Sequence, residues 1–116
     1  MHVAFLGFGL IGGSIARAIR ANPATSGWSL HAWSPSGDGP RRAAGEGIID
    51  TAATTPQAAI RGAGTIVLGG PATACLGLID DLGGQWRSEL AKDAVVTDVA
   101  STKGAIVDRR RSATRR

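Results

Sequence analysis

The residues of this chain best suited to chemistry are three glycines in the run Gly7-Phe8-Gly9-Leu10-Ile11-Gly12. A G-x-G-x-x-G spacing serves phosphate binding. Gly7 permits a tight turn, Gly9 lets backbone approach a pyrophosphate, and Gly12 allows a helix to pack closely on a strand. The free N–H groups and positive dipole end of that helix then meet the phosphates. In a chain with 17 glycines the spacing can arise by chance, so its context decides. Here it directly follows the apolar run Val3-Ala4-Phe5-Leu6 and opens an amphipathic segment, which favours dinucleotide binding.

A dinucleotide site also calls for an acidic residue about 20 residues beyond the loop, where it bonds the adenosine ribose hydroxyls. Ser34 stands at that place, and the next carboxylate, Asp38, lies in a glycine-rich turn. A serine does not repel a 2′-phosphate, and Arg41 and Arg42 follow closely enough to pair with one. The cofactor is therefore NAD or NADP, with a lean to NADP. The two arginines read equally well as a solvated helix face.

A second chemically rich run is Asp98-Val99-Ala100-Ser101-Thr102-Lys103-Gly104, at the end of a late apolar stretch. In a wound parallel sheet it falls beside the nicotinamide end of a bound dinucleotide. On residue types alone, Asp98 or Ser101 also serves as a helix cap, and Lys103 as an ordinary first-turn lysine. His2 and His31 belong to the first and second strands, and read as strand-edge or partly buried imidazoles, not as a catalytic base.

The elements that must position these residues alternate strictly. Strands are predicted at 3–6, 28–33, 48–49, 65–68 and 94–98. Helices are predicted at 10–21, with Ile11, Ile15, Ala18 and Ile19 on one stripe, and at 40–45, 56–61 and 72–82, with a last one opening at Ser101-Thr102. Asn22-Pro23 ends the first helix, Thr55-Pro56 opens the third, and Gly69-Gly70-Pro71 stops the fourth strand. Alternation predicts an α/β fold: a Rossmann-type doubly wound parallel sheet in strand order 3-2-1-4-5, with ligands at the carboxyl ends of the strands. No sixth strand is readable, so the expectation is a single, truncated domain.

Composition agrees with one small globular unit, 43% hydrophobic and 19% charged. The net charge of +4 belongs mainly to the tail, since five of 13 basic residues fall within 109–116. Residues 1–108 are thus read as the nucleotide-binding domain and 109–116 as an arginine-rich tail, expected to be disordered. No aromatic residue is interleaved in that tail, which argues against specific nucleic-acid binding. Cys75 is the only cysteine, which excludes an internal disulfide or a multi-cysteine metal site. No run is long enough to span a membrane, and the expected location is cytoplasmic.

Taken together, Gly-Phe-Gly-Leu-Ile-Gly-Gly-Ser (7–14) and Thr-Asp-Val-Ala-Ser-Thr-Lys-Gly (97–104) resemble the prephenate/arogenate dehydrogenase family. The resemblance covers residues 2–108, which corresponds to the first half of such an enzyme. It implies oxidative decarboxylation in tyrosine biosynthesis: a hydride passes from the carbinol carbon of prephenate or arogenate to NAD(P)⁺, and loss of CO₂ makes the ring aromatic. It further implies that Ser101 bonds the substrate hydroxyl or the catalytic histidine, and that Gly70 and Pro71 line the cofactor. The family's histidine lies in a His-Pro segment beyond Arg116, and a helical second domain supplies substrate and homodimer contacts. The expectation is therefore a catalytically incomplete piece, arising by truncation or frameshift. The alternative is a non-catalytic Rossmann nucleotide-binding or interaction module.

Overall fold

The computed structural model describes residues 1–69, 77, 81, 84 and 94–98. Its elements are β1 (His2–Leu6), α1 (Leu10–Ala21), β2 (Ser29–Trp33), α2 (Asp38–Gly45), β3 (Thr51–Ala52), α3 (Pro56–Ile60), β4 (Thr65–Leu68) and β5 (Val95–Asp98). The five strands form one parallel sheet in the order β3-β2-β1-β4-β5, as the alternation of elements predicts. β1 is central, paired with β2 through His2↔Ser29 to Leu6↔Trp33 and with β4 through Val3↔Thr65 to Leu6↔Leu68.

A parallel sheet covered on both faces needs apolar residues at successive strand positions. β1 meets that demand, with Val3, Ala4, Phe5 and Leu6 all buried. Val3 and Phe5 join Leu30, Ala32 and Val67 in a core closed by Ala16 of α1 and Ala43 of α2. Ala4 and Leu6 face the other way, in register with Ile66 and Leu68, on the face that α3 covers with Ala59 and Ile60. Full burial of a leucine, isoleucine or phenylalanine contributes about 1.5–3 kcal/mol, so this two-faced core dominates the stability of the sheet.

Two sequence expectations are corrected. The third strand lies at Thr51–Ala52, not at residues 48–49. Ile48 and Ile49 are buried core residues, and the Ile48 N–H is taken by the Ala43 carbonyl at the end of α2. Pairing with β2 starts only after them, through His31↔Thr51. In α1, Ile11 and Ala18 are exposed, and the stripe against the sheet is Gly12, Ile15, Ala16 and Ile19. Gly12 and Ala16, both small, are the two buried residues of α1. Smaller differences are that α2 opens two residues early, at Asp38, and that β2 starts at Ser29.

Thr55 caps α3 as its position before Pro56 predicts, accepting a hydrogen bond from the Ala58 N–H at 3.1 Å. The predicted helix at 72–82, the helix opening at Ser101, Cys75 and the tail at 109–116 lie wholly or mostly outside the described residues.

Candidate functional site

The glycine loop joins the end of the central strand to α1. Gly7 adopts φ +83°, in the left-handed region, and its N–H donates to the Trp33 carbonyl at 2.7 Å. A β-carbon at this position would overlap the carbonyl of Gly69, which closes β4. Gly7 is thus fixed twice, by conformation and by close approach of the neighbouring strand. Gly12 is less constrained than its place in the motif suggests: a β-carbon there would lie 3.4 Å from the Phe8 ring.

Gly9 differs from both. Its backbone is extended (φ −102°, ψ −151°), and a β-carbon there would meet nothing within 4 Å. Gly9 is also the N-cap of α1, and it offers no side chain to the helix's first N–H groups. No acidic residue stands in the first turn. The amides of Leu10, Ile11 and Gly12 therefore begin a twelve-residue helix with no intrahelical acceptor. Open space over uncapped amides at a positive dipole end is an arrangement that receives an anion.

The side chains around the loop play different parts. Phe8 packs edge-on against Phe5, with centroids 5.4 Å apart, so its ring belongs to the core. Leu10 and Ile11 are exposed, at 89% and 54%. Ser14 donates to the Leu10 carbonyl at 3.0 Å.

Ser34 lies where the second strand opens on the same edge of the sheet. Its Oγ accepts the Gly37 N–H at 3.0 Å, closing a turn that Gly37 completes at φ +78°. Ser34 to Gly37, Arg41, Ala52 at the end of β3 and the following Ala53 and Thr54 line an open pocket of about 190 Å³. The two arginines expected to act together are separated. Arg41 lines the Ser34 pocket, whereas Arg42 lines a groove of about 270 Å³ between α1 and α2, with Arg17 and Glu46. Arg42 is thus not part of the Ser34 pocket.

One contributor escaped the sequence reading. A β-carbon at Gly39 would lie 2.8 Å from the Phe8 carbonyl oxygen, so Gly39 lets α2 dock against the glycine loop. A glycine in the first turn of a helix is its only sequence signal. Of the other predicted site residues, Gly70, Pro71 and Ser101 lie outside the described residues. The backbone of Asp98 ends β5 beside Leu68.

Neither histidine lies on this edge of the sheet. His2 and His31 stack on each other at the opposite end, with ring centroids 4.1 Å apart. Burial, and then the neighbouring His31, hold the His2 imidazole below its ordinary range against an opposing hydrogen bond to the Ala59 backbone. Among the described residues no cluster of His, Cys, Asp and Glu could hold a metal ion. No described helix is long and apolar enough to cross a membrane.

Comparison with solved structures gives close matches in fold. Over 97% of its length the chain is similar to an arogenate dehydrogenase from Synechocystis, with 29% identity and a TM-score of 0.79. Over 97% it is also similar to a prephenate dehydrogenase from A. aeolicus in complex with hydroxyphenyl propionate and NAD⁺, with 25% identity and a TM-score of 0.81. A glycerol-3-phosphate dehydrogenase from Coxiella burnetii matches 93% of the chain at 15% identity and a TM-score of 0.67, a likeness of fold alone. The chain spans 37% and 38% of the lengths of the first two. No protein-family model and no curated protein sequence matches it. The resemblance carried by two short motifs thus extends to the backbone of almost the whole chain.

Proposed function

We propose that this chain is the nucleotide-binding portion of a prephenate or arogenate dehydrogenase. It would hold NAD or NADP for oxidative decarboxylation in tyrosine biosynthesis. The observation that carries the reading is the open, uncapped start of α1 beneath Gly9, on the central strand of the sheet. The A. aeolicus enzyme with NAD⁺ supports the same class of ligand.

In this reading Gly7, Phe8, Gly9, Leu10, Ile11 and Gly12 bind the pyrophosphate through backbone, with Gly9 keeping the approach clear. Ser34 meets the adenosine ribose. Its Oγ already accepts from Gly37, which leaves its hydrogen to donate. Arg41 in the same pocket underlies the lean to NADP. Gly70 and Pro71 line the nicotinamide half, and Ser101 orients the substrate hydroxyl or the base. When bound, the dinucleotide supplies the hydride acceptor, and the protein's share is binding, orientation and electrostatics. By the family resemblance, the whole enzyme is cytoplasmic, takes its catalytic histidine from a His-Pro segment beyond Arg116, and dimerises through a helical second domain.

Calorimetric titration of the chain with NAD⁺ and NADP⁺ tests the binding step. Saturable heat with at least one dinucleotide is expected. No heat with either at millimolar concentration overturns the reading.

A further inference from the structure

The pocket at Ser34 carries a feature that a serine-for-acid reading does not anticipate. Arg41, the only cation lining it among the described residues, is already engaged by an anion of its own chain. Its Nη2 donates to the Asp38 carboxylate at 2.6 Å and lies 3.5 Å from the Ser36 carbonyl. The guanidinium rests on Gly37, where any β-carbon would collide with Nη1 at 2.7 Å. Both partners are solvent-exposed, at 66% and 76%, so the pair is held loosely and an incoming ligand can displace it. Asp38 itself does not line the pocket, so it does not stand in for the missing ribose acid.

Resting on the dinucleotide reading above, we infer that Asp38 is a specificity-determining residue that acts through Arg41, as a built-in competitor for the adenosine 2′-phosphate. Arg41 has five N–H donors in a planar fork, and Nη2 gives its own to Asp38 and to the Ser36 carbonyl. A 2′-phosphate reaching Arg41 must share the guanidinium with a carboxylate, and pays like-charge repulsion for doing so. A ribose bearing only hydroxyls pays no such cost. The Asp38–Arg41 pair thereby holds the preference for NADP near parity with NAD, and the site accepts both. Asp38 is a positioning residue here, since it meets the ligand only through Arg41.

The experiment compares NAD⁺ and NADP⁺ affinities by calorimetry for the unaltered chain, Asp38→Asn, Arg41→Ala and the double variant. Asn keeps the size and helix-start character of Asp at the head of α2, and unfolding midpoints confirm that each variant folds. Asp38→Asn is expected to tighten NADP⁺ about two- to five-fold, the scale of one exposed charge pair, with NAD⁺ unchanged. Arg41→Ala should weaken NADP⁺ about tenfold or more, and should abolish the effect of Asp38→Asn. The tightening should also shrink as salt rises. If Asp38→Asn weakens NADP⁺, moves both dinucleotides together, or keeps its effect without Arg41, the role given to Asp38 is wrong. If the unaltered chain binds neither dinucleotide, the underlying reading of the site falls instead.

Discussion

The two ends of the parallel sheet are built on opposite principles. At the carboxyl ends of β1 and β2 the chain places glycines, an uncapped helix and a turn held by one serine. At the amino ends it places a charged knot. Arg20, at the end of α1, donates to the carbonyls of Ser26, Trp28 and Ile48 and to the carboxylate of Asp50. Asp50 in turn accepts the Leu30 N–H at 2.7 Å, which ties the approach to β3 onto β2. One end ties its charged side chains to partners within the chain, and the other leaves helix amides open. The difference separates the part of the molecule that holds the fold from the part that is free to hold a ligand.

Gly7→Ala should give the largest loss of stability. It forces a left-handed φ on a side chain and drives a β-carbon into the Gly69 carbonyl, at a cost of about 2–4 kcal/mol. Denaturant unfolding measures it, and a loss below about 1 kcal/mol shows that the loop can relax, contrary to the geometry.

Arg20→Ala attacks the opposite end. It strands two backbone carbonyls that are partly buried and removes the cation beside Asp50, for an expected loss of about 1–3 kcal/mol. Arg20→Lys should recover little, because a single ammonium cannot span the four acceptors that the guanidinium reaches. Dinucleotide affinity should be unchanged in any variant that still folds.

Gly9→Ala sharpens the contrast within a single loop. Its extended backbone suits any residue and its β-carbon meets nothing, so stability should stay within about 0.5 kcal/mol. The methyl group nevertheless stands in the space assigned to the pyrophosphate, and affinity should drop about tenfold, a loss of about 1.4 kcal/mol. Equal binding by this variant would move the ligand away from Gly9.

Acid should loosen the closed end in two stages. His2 has a lowered pKa in the folded chain, so its contribution is complete above about pH 6.5 and is lost as pH falls through that range. The charged ring carries a proton on both nitrogens, and Nε2 is buried with no hydrogen-bond partner among the described residues. The groups facing it are His31, the Met1 amino group, Asp50 and the Ala59 backbone. Asp50 is lowered as well, chiefly by the Leu30 N–H and then by Arg20, so its contribution persists above its ordinary pKa of 3.8 and fails below it. Thermal unfolding from pH 7.5 to 5.5 should show a small fall in midpoint that His2→Asn removes. An unchanged fall would place the titration elsewhere.

The sequence reading succeeded where periodicity and turn chemistry decide the outcome. The buried run Val3 to Leu6, the Thr55-Pro56 helix start and the strand order follow from such local signals. It failed where tertiary packing chooses between similar residues. Ile48 and Ile49 look like a strand but are spent on the core, while β3 uses the plainer Thr51 and Ala52. The buried face of α1 holds Gly12 and Ala16, whose small size no hydrophobic count rewards. At the site, the glycine spacing was legible but the unequal roles of its members were not, because they depend on Gly69 from a distant strand. The splitting of Arg41 from Arg42 likewise required the direction of α2.

Backbone amide resonances followed during titration with NAD⁺ test the central claim most directly. The account predicts the largest shifts at Gly9 to Gly12 and from Ser34 to Gly37, with His2, Arg20 and Asp50 unmoved. Shifts centred on the Arg20–Asp50 end, or none at the glycine loop under saturating dinucleotide, would contradict it.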